Sequence, residues 1–390
     1  MNTLDEARKL KSWMVQLRRD FHMYPEPSFE EVRTSKIISE ELKNMDIDVS
    51  TTGKTGVIGL LRGKKRGKVI ALRADIDGLS VTEKTGLSYS SKNQGYMHAC
   101  GHDTHITELL GAAKILSHLK NELCGSVKFI FQPAEELGAG AAYMIEHGVL
   151  ENPKVDMIVG MHTFGLIETG QVVVQEGFLM ASIDTWHLTI KGKSCHGSSP
   201  WQGVDTIPCA LAVMKGFETI VTRFNDARNP IVINIGTVNT GERFNIVPGK
   251  VEMTGANRAF SQYSREMMPK WMKKIIYSVC DTYGCKAEFA YEMGCSPTVN
   301  EIESTGFVKK SVARAIGEKN IIHQISPIMG SEDFSSYLEK VPGAFLILGG
   351  GNRKKGYMYS QHSNYFTIDE DCLSVGASVY AQIACDFLKN

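Results

Sequence analysis

Apolar residues at Leu4, Ala7, Leu10, Met14, Leu17 and Phe21 recur every three or four positions, which predicts one amphipathic helix ending near Pro25. A second helical pattern covers about 31–45. Two apolar runs, 57–61 and 69–72, flank a Gly/Lys-rich turn and read as strands. Further on, the spacing predicts a helix over about 106–119, a strand over 127–131, a helix over about 140–147 and a strand over 157–161. This alternation is that of an α/β sheet with helices on its faces.

Beyond about residue 183 the order changes to strand (185–190), helix (204–223), two strands (231–238 and 251–260), helix (265–283) and strand (287–292). β-α-β-β-α-β is a compact two-layer unit that can stand alone. It predicts an inserted domain over 183–296, with 1–182 and 297–390 forming one discontinuous domain. In the returning segment, 308–316 reads as a helix, 345–348 as a strand, and His362 lies in a polar loop before a C-terminal helix. A chain of 390 residues exceeds the size at which a single core keeps growing, which agrees with two domains.

Charge removes several functions. Lys+Arg and Asp+Glu number 43 each, so no overall field draws a polyanion, and nucleic acid is not an expected partner. No stretch reaches the roughly 20 apolar residues that span a bilayer, and the charged N-terminus lacks the apolar centre of a signal peptide. A cytoplasmic protein with no membrane partner is the expectation. Nine scattered cysteines fit reduced thiols better than a disulfide framework.

The chemistry gathers where the strands of the first part end. Asp75 and Asp77 follow the 69–72 run, Glu135 and Glu136 follow 127–131, and His162 follows 157–161. In an open α/β sheet the loops leaving the C-terminal ends of the strands converge on the ligand site, so these groups are expected on one edge. Between them lies His98-Ala99-Cys100-Gly101-His102-Asp103-Thr104-His105. Thiolate and imidazole are good ligands for zinc and its neighbours, and the glycine lets the backbone bend so that Cys100 and His102 reach one ion. The same pair also admits buried packing, or a nucleophile with its base. Two adjacent glutamates can likewise be a solvated helix start. His98 and His105 read as supporting or structural groups, and His22, His118, His147, His187 and His323 as scaffold.

Five spaced segments resemble one known family: Met97-His98-Ala99-Cys100-Gly101-His102-Asp103, Gln132-Pro133-Ala134-Glu135-Glu136, Gly160-Met161-His162, Gly330-Ser331-Glu332-Asp333-Phe334 and His362-Ser363. Together they resemble the amidohydrolase branch of the aminoacylase/carboxypeptidase metallopeptidases, which includes hippurate hydrolases, auxin-conjugate hydrolases and N-acetyl-amino acid deacetylases. The resemblance implies an open mixed-sheet hydrolase domain of the phosphorylase/hydrolase-like kind, with a ferredoxin-like α+β lid that also dimerises. It implies two divalent metal ions per chain, manganese or zinc, with nickel or cobalt also compatible, held by Cys100, His102, Glu136, His162 and His362. Glu135 would be the catalytic carboxylate, supported by Asp77 and by Asp75, which stands where more distant relatives carry a histidine. In the lid, His196, Asn245 and Arg258 would contact the amide oxygen and carboxylate of an N-acyl amino acid, although Arg258 could equally form an ordinary salt bridge. Ser331 and Asp333 could hydrogen-bond around the site or lie in a surface loop.

The expected activity is therefore removal of an acyl group from the nitrogen of an amino acid or related small amide. Small-peptide carboxypeptidase or dipeptidase action at the same site, hydrolysis by a Cys100 nucleophile assisted by His102, and ligand binding without turnover are the alternatives.

Overall fold

The computed structural model describes residues 2–389 and divides into two compact units. Among the described residues the first comprises 2–179, 299–326 and 333–389, and the second 180–298 with 327–332. The short 327–332 segment, placed by sequence with the flanking domain, joins the second unit because the Ala181 amide donates to the Ile328 and Gly330 carbonyls.

In chain order the first unit begins with α1 (Thr3–Lys9), α2 (Lys11–Met23), α3 (Val32–Asn44), β1 (Asp48–Thr52), β2 (Gly56–Arg62) and β3 (Lys65–Asp75). It continues with α4 (His102–His118), β4 (Cys124–Gln132), α5 (Gly140–Glu146), β5 (Met157–Glu168), β6 (Val172–Val173) and β7 (Gly177–Met180). The single N-terminal helix expected from periodicity is two helices broken at Leu10, both turning apolar residues inward: Ala7, Met14, Leu17 and Phe21 all join the core.

The second unit holds β8 (Asp184–Lys191), β9 (Cys195–His196), α6 (Thr206–Thr219), β10 (Ile231–Thr240), β11 (Ile246–Val247), β12 (Lys250–Ala259), α7 (Gln262–Tyr283) and β13 (Lys286–Met293). The return adds β14 (Thr298–Asn300), α8 (Ile302–Ile316), β15 (Ile321–Ile322), α9 (Ser335–Leu338), β16 (Gly343–Gly351) and α10 (Cys372–Phe387).

The eight-stranded sheet of the first unit runs β1-β2-β4-β3-β5-β16-β6-β15. Its centre, β4-β3-β5-β16, is parallel, so those strands bring their C-terminal ends to one edge. β16 comes from the far end of the chain, and α10 is buried along almost its whole length. Parallel strands covered on both faces must be apolar throughout, and the last seven residues of β3 and all nine of β16 are buried. In the second unit a four-stranded antiparallel sheet, β10-β12-β8-β13, packs Trp186, Leu188, Ile190, Val251 and Met253 against Val213, Phe217, Met272 and Ile276 of α6 and α7. The fold is thus an α/β open mixed sheet with an α+β insertion.

Candidate metal centre

Cys100 and His102 are separated by a sharp turn. Gly101 has φ 89°, a left-handed conformation that a side chain resists, and it caps α4. The helix starts at His102 rather than near 106. Its first turn, His102 to His105, is polar yet completely buried against other polar groups, so apolar periodicity could not see it.

A second turn carries the glutamates. After β4 ends at Gln132, Ala134 takes φ 55° and places Glu135 and Glu136 on the same edge. Asp77 holds this turn: Oδ1 accepts the Glu135 amide at 3.2 Å, and Oδ2 accepts the Glu136 amide at 3.1 Å and the Ser28 hydroxyl at 2.6 Å. Its Oδ1 also lies 3.2 Å from His102 Nδ1, so one carboxylate orients both the glutamate turn and the imidazole. Glu31 clamps the turn from the other side, accepting the Ala134 amide at 3.0 Å and the Thr55 hydroxyl at 2.5 Å.

Asp75 is committed differently. Arg73 Nη1 donates to one oxygen at 2.7 Å, and His105 Nδ1 donates to the other at 2.5 Å. The tautomer follows from the opposite ring nitrogen, because His105 Nε2 accepts the Thr163 amide at 2.8 Å and so cannot carry the proton. Both Asp75 oxygens and both His105 nitrogens are used. Burial alone would raise the Asp75 carboxyl, but His102, His105 and Arg73 hold it well below the usual range.

The remaining donors face one another. His162 gives its Nδ1 proton to the Thr163 carbonyl at 3.0 Å, which leaves the Nε2 lone pair 3.3 Å from Cys100 Sγ. His102 Nε2 lies 3.7 Å from Glu136 Oε1 and 3.8 Å from Glu135 Oε2, while Glu136 Oε2 lies 3.6 Å from His362 Nε2. His362 is held in a left-handed conformation, φ 64°, with its amide on the Ala99 carbonyl. Groups whose donor atoms lie within 4.8 Å of one another include Cys100/His102/His162, Cys100/Glu136/His362 and His102/Glu135/Glu136, and also Asp75/His102/His105, in which Asp75 and His105 already bond each other.

These residues fit divalent cations. His102 Nε2 and Glu136 Oε1 are buried with no hydrogen-bond partner among the described residues, although burying such atoms unpaired is costly. Burial, with the Asp77 and Asp75 charges adding and His102 opposing, lifts the Glu136 carboxyl to about 7. Burial and the Glu136, Glu135 and Asp75 carboxylates push the Cys100 thiol far up. The pocket is short of positive charge. That environment also counts against a Cys100 nucleophile, which needs a lowered pKa, and the imidazole beside Sγ is His162 rather than His102.

Of the supports, the sequence pointed to Asp333 and His105 but not to Arg73, Gln132 or Glu31. Arg73 ties Asp75 to Gln132 and to Asp333, whose other oxygen accepts the Ala141 amide at 2.8 Å. A charged residue inside an apolar strand is a signal that such partners exist. His22, read as scaffold, is buried with Nδ1 2.8 Å from Asp103, which also pairs with Arg18 at 2.8 Å.

In the second unit, β9 and β11 pair His196 with Ile246, which places Asn245 beside His196, both exposed. Arg258 is partly buried on β12, and its Nη1 donates to Ser331 Oγ at 3.1 Å.

The model of peptidase family M20/M25/M40 matches residues 71–386. The chain belongs to this family. Among M20 relatives, the thermostable carboxypeptidase 1 of Saccharolobus solfataricus is 38% identical, covering 98% of this chain and 97% of that one. The N-acetylcysteine deacetylase of Bacillus subtilis is 37% identical, covering 96% and 97%. The crystal structure of Bacillus subtilis YXEP, a dinuclear metal-binding peptidase from family M20, superposes with TM-score 0.86 at 35% identity, covering 98% of this chain and 99% of that one. M20 membership and the converging donor cluster together make this chain a metal-dependent amidohydrolase with a centre for two divalent ions. No helix among the described residues is long and apolar enough to cross a membrane.

Proposed function

We propose that this enzyme hydrolyses the amide bond of N-acyl amino acids, releasing the acid and the free amino acid. The observation that carries the reading is the unpartnered pair His102 Nε2 and Glu136 Oε1, 3.7 Å apart among Cys100, His162 and His362. Those five residues would hold the two ions, zinc or manganese, with nickel and cobalt also suited to the donors. Bound ions would polarise the scissile carbonyl and acidify the attacking water.

The chain does the rest. Glu135 takes the proton of the water and returns it to the leaving nitrogen. Asp77 keeps Glu135, Glu136 and His102 in register, whereas Asp75 fixes His105 behind them. His196 and Asn245 stabilise the charge that develops on the amide oxygen, and Arg258 grips the substrate carboxylate with its planar fork.

His196 and Arg258 need not serve the same site. β12 runs from Lys250, which pairs with Lys191 next to the β9 turn, to Arg258, eight residues and about 27 Å away at ~3.4 Å per residue. His196, on the β9–β11 pair that adjoins the Lys250 end, is set toward the opposite end of β12 from Arg258, which supports assigning it to the site of a second copy in a homodimer. The β10 edge strand, exposing Val232 and Val238, and α6, exposing Ile207 and Leu211, offer the surface for that pairing. A small-molecule substrate and a cytoplasmic setting complete the proposal.

A second reading, cleavage of small peptides at the C-terminal residue, has support in the carboxypeptidase relative. Metal-depleted enzyme reloaded with zinc, manganese, cobalt or nickel should be assayed on N-acetyl, N-benzoyl and longer N-acyl amino acids and on dipeptides. Restored hydrolysis of the acyl amino acids is expected. Preference for dipeptides would install the second reading, and inactivity on the whole panel with both ions bound would defeat the proposal.

A further inference from the structure

Three thiols of the second unit meet in one contact. Cys209, in the first turn of α6, and Cys280, in the last turn of α7, are buried and face each other with Sγ atoms 3.6 Å apart. α7 then ends on Gly284 at φ 70°, a left-handed cap that turns the chain back so that the Cys285 amide bonds the Cys280 carbonyl at 2.8 Å. This cap delivers a third thiol. Cys285 adjoins Cys209, and its Sγ donates to the Asp205 carbonyl at the start of α6, 3.8 Å away. Cys209 therefore stands between two potential partners, remote in sequence from every proposed metal ligand.

We propose that these residues form an oxidation site in which Cys209 is cross-linked to Cys280 or Cys285, stapling the start of α6 to the end of α7. Cys285 receives the oxidant, since at 8% exposure it is the least buried of the three, against 0% for Cys209 and 2% for Cys280. A hydroperoxide converts the Cys285 thiol to sulfenic acid and leaves as the alcohol or water. The Cys209 sulfur attacks that sulfur, the S–O bond breaks, and the oxygen departs as a second water with the thiol proton. The Cys280 sulfur can then displace Cys285 from Cys209, restoring the Cys285 thiol while its own proton passes to Cys285. Two thiols are oxidised and one peroxide is reduced. Forming the bond from 3.6 Å needs a shortening of about 1.6 Å, to the ~2.05 Å of a disulfide. Burial raises all three thiols, so little thiolate is present and the first oxidation is slow, which sets the peroxide dose that the test must reach.

The test treats the intact metal-loaded enzyme with hydrogen peroxide, alkylates the free thiols and maps peptides without reduction. A linkage from Cys209 to Cys280 or Cys285 is expected, together with a rise of roughly 5 °C or more in the unfolding midpoint of the second unit that dithiothreitol reverses. In Cys209→Ala the linkage should vanish and a sulfenic acid should be trapped on Cys285 by dimedone. Should that variant not fold, Cys280→Ala, which leaves Cys209–Cys285 as the sole expected product, decides in its place. Recovery of all three as free thiols, at a dose that oxidises the partly exposed Cys124, Cys195 and Cys385, would overturn the proposal, as would a linkage of Cys285 to any cysteine outside the trio.

Discussion

Glu135 and Glu136 are adjacent, yet they are assigned opposite tasks. Glu136 has oxygens 3.7 Å from His102 and 3.6 Å from His362, the position of a ligand, so Glu136→Gln should lower metal content. Glu135→Gln should keep its metal and lose about a hundredfold or more in turnover, because an amide cannot carry the proton. Metal analysis beside the rate measurement checks both, and the opposite pattern would exchange the assignments. Glu31 offers a pH test of the turn that carries them. Burial lifts its carboxyl from 4.5 to about 6 against hydrogen bonds from Thr55 and Ala134. Between those values the folded chain binds more protons than the unfolded one, so this contribution is fully present below pH 4.5 and lost as the pH rises through 6. It amounts to about 2 kcal/mol at ~1.4 kcal/mol per pKa unit. Unfolding curves of the parent and Glu31→Gln should show the parent's relative stability falling by that amount from pH 4.5 to 7; a constant difference would contradict the assignment. Asp75, Asp77, Glu135, Glu136 and His162 stand out in the sequence at the ends of apolar runs and Cys100 and His102 as a crowded cluster, whereas His362, in a polar loop, is singled out only by the family resemblance. Glu31 was not legible, since an isolated glutamate before a helix reads as solvated until its partners Thr55 and Ala134 are brought to it.

Among the elements, the apolar centres of the long strands were legible but their ends were not. β5 was expected to stop before His162 but continues to Glu168, because β16 pairs with it beyond the end of β3, and that partner lies almost two hundred residues away. Such pairing has no local signature. The α5 start shows how tightly an element edge can bind a site: a Cβ on Gly140 would overlap the Pro133 carbonyl, and the next amide is held by Asp333. Gly140→Ala should therefore shift the glutamate turn, costing stability by about 1–3 kcal/mol and weakening metal retention. Thermal unfolding with and without chelator checks this, and a variant with unchanged stability and metal content would show the turn to be more compliant than its contacts imply.

On the scale of the whole molecule, the distance along β12 separates functions that one chain carries together. Mixing inactive His196→Ala with inactive Glu135→Gln should regain activity, approaching a quarter of the parent value if exchange is random and one of four sites receives both intact groups. No recovery despite proven subunit exchange would return His196 to its own chain or remove it from catalysis. Arg258→Ala should slow substrates bearing the carboxylate far more than matching amides without it; equal losses would refute the clamp.

The division of the chain also has a consequence for the order in which the protein is made. The second unit, apart from residues 327–332, is complete once residue 298 has been synthesised, whereas the first must wait for β16, α10 and His362. At ~5–20 residues per second, the inserted unit has several seconds to fold before the central sheet receives its last interior strand. During that interval Cys100, His102, Glu136 and His162 already exist without their fifth companion. A nascent chain stalled before residue 343 should accordingly yield a protease-resistant 180–298 fragment but hold no stable metal pair, so that loading is a late event in the life of each molecule.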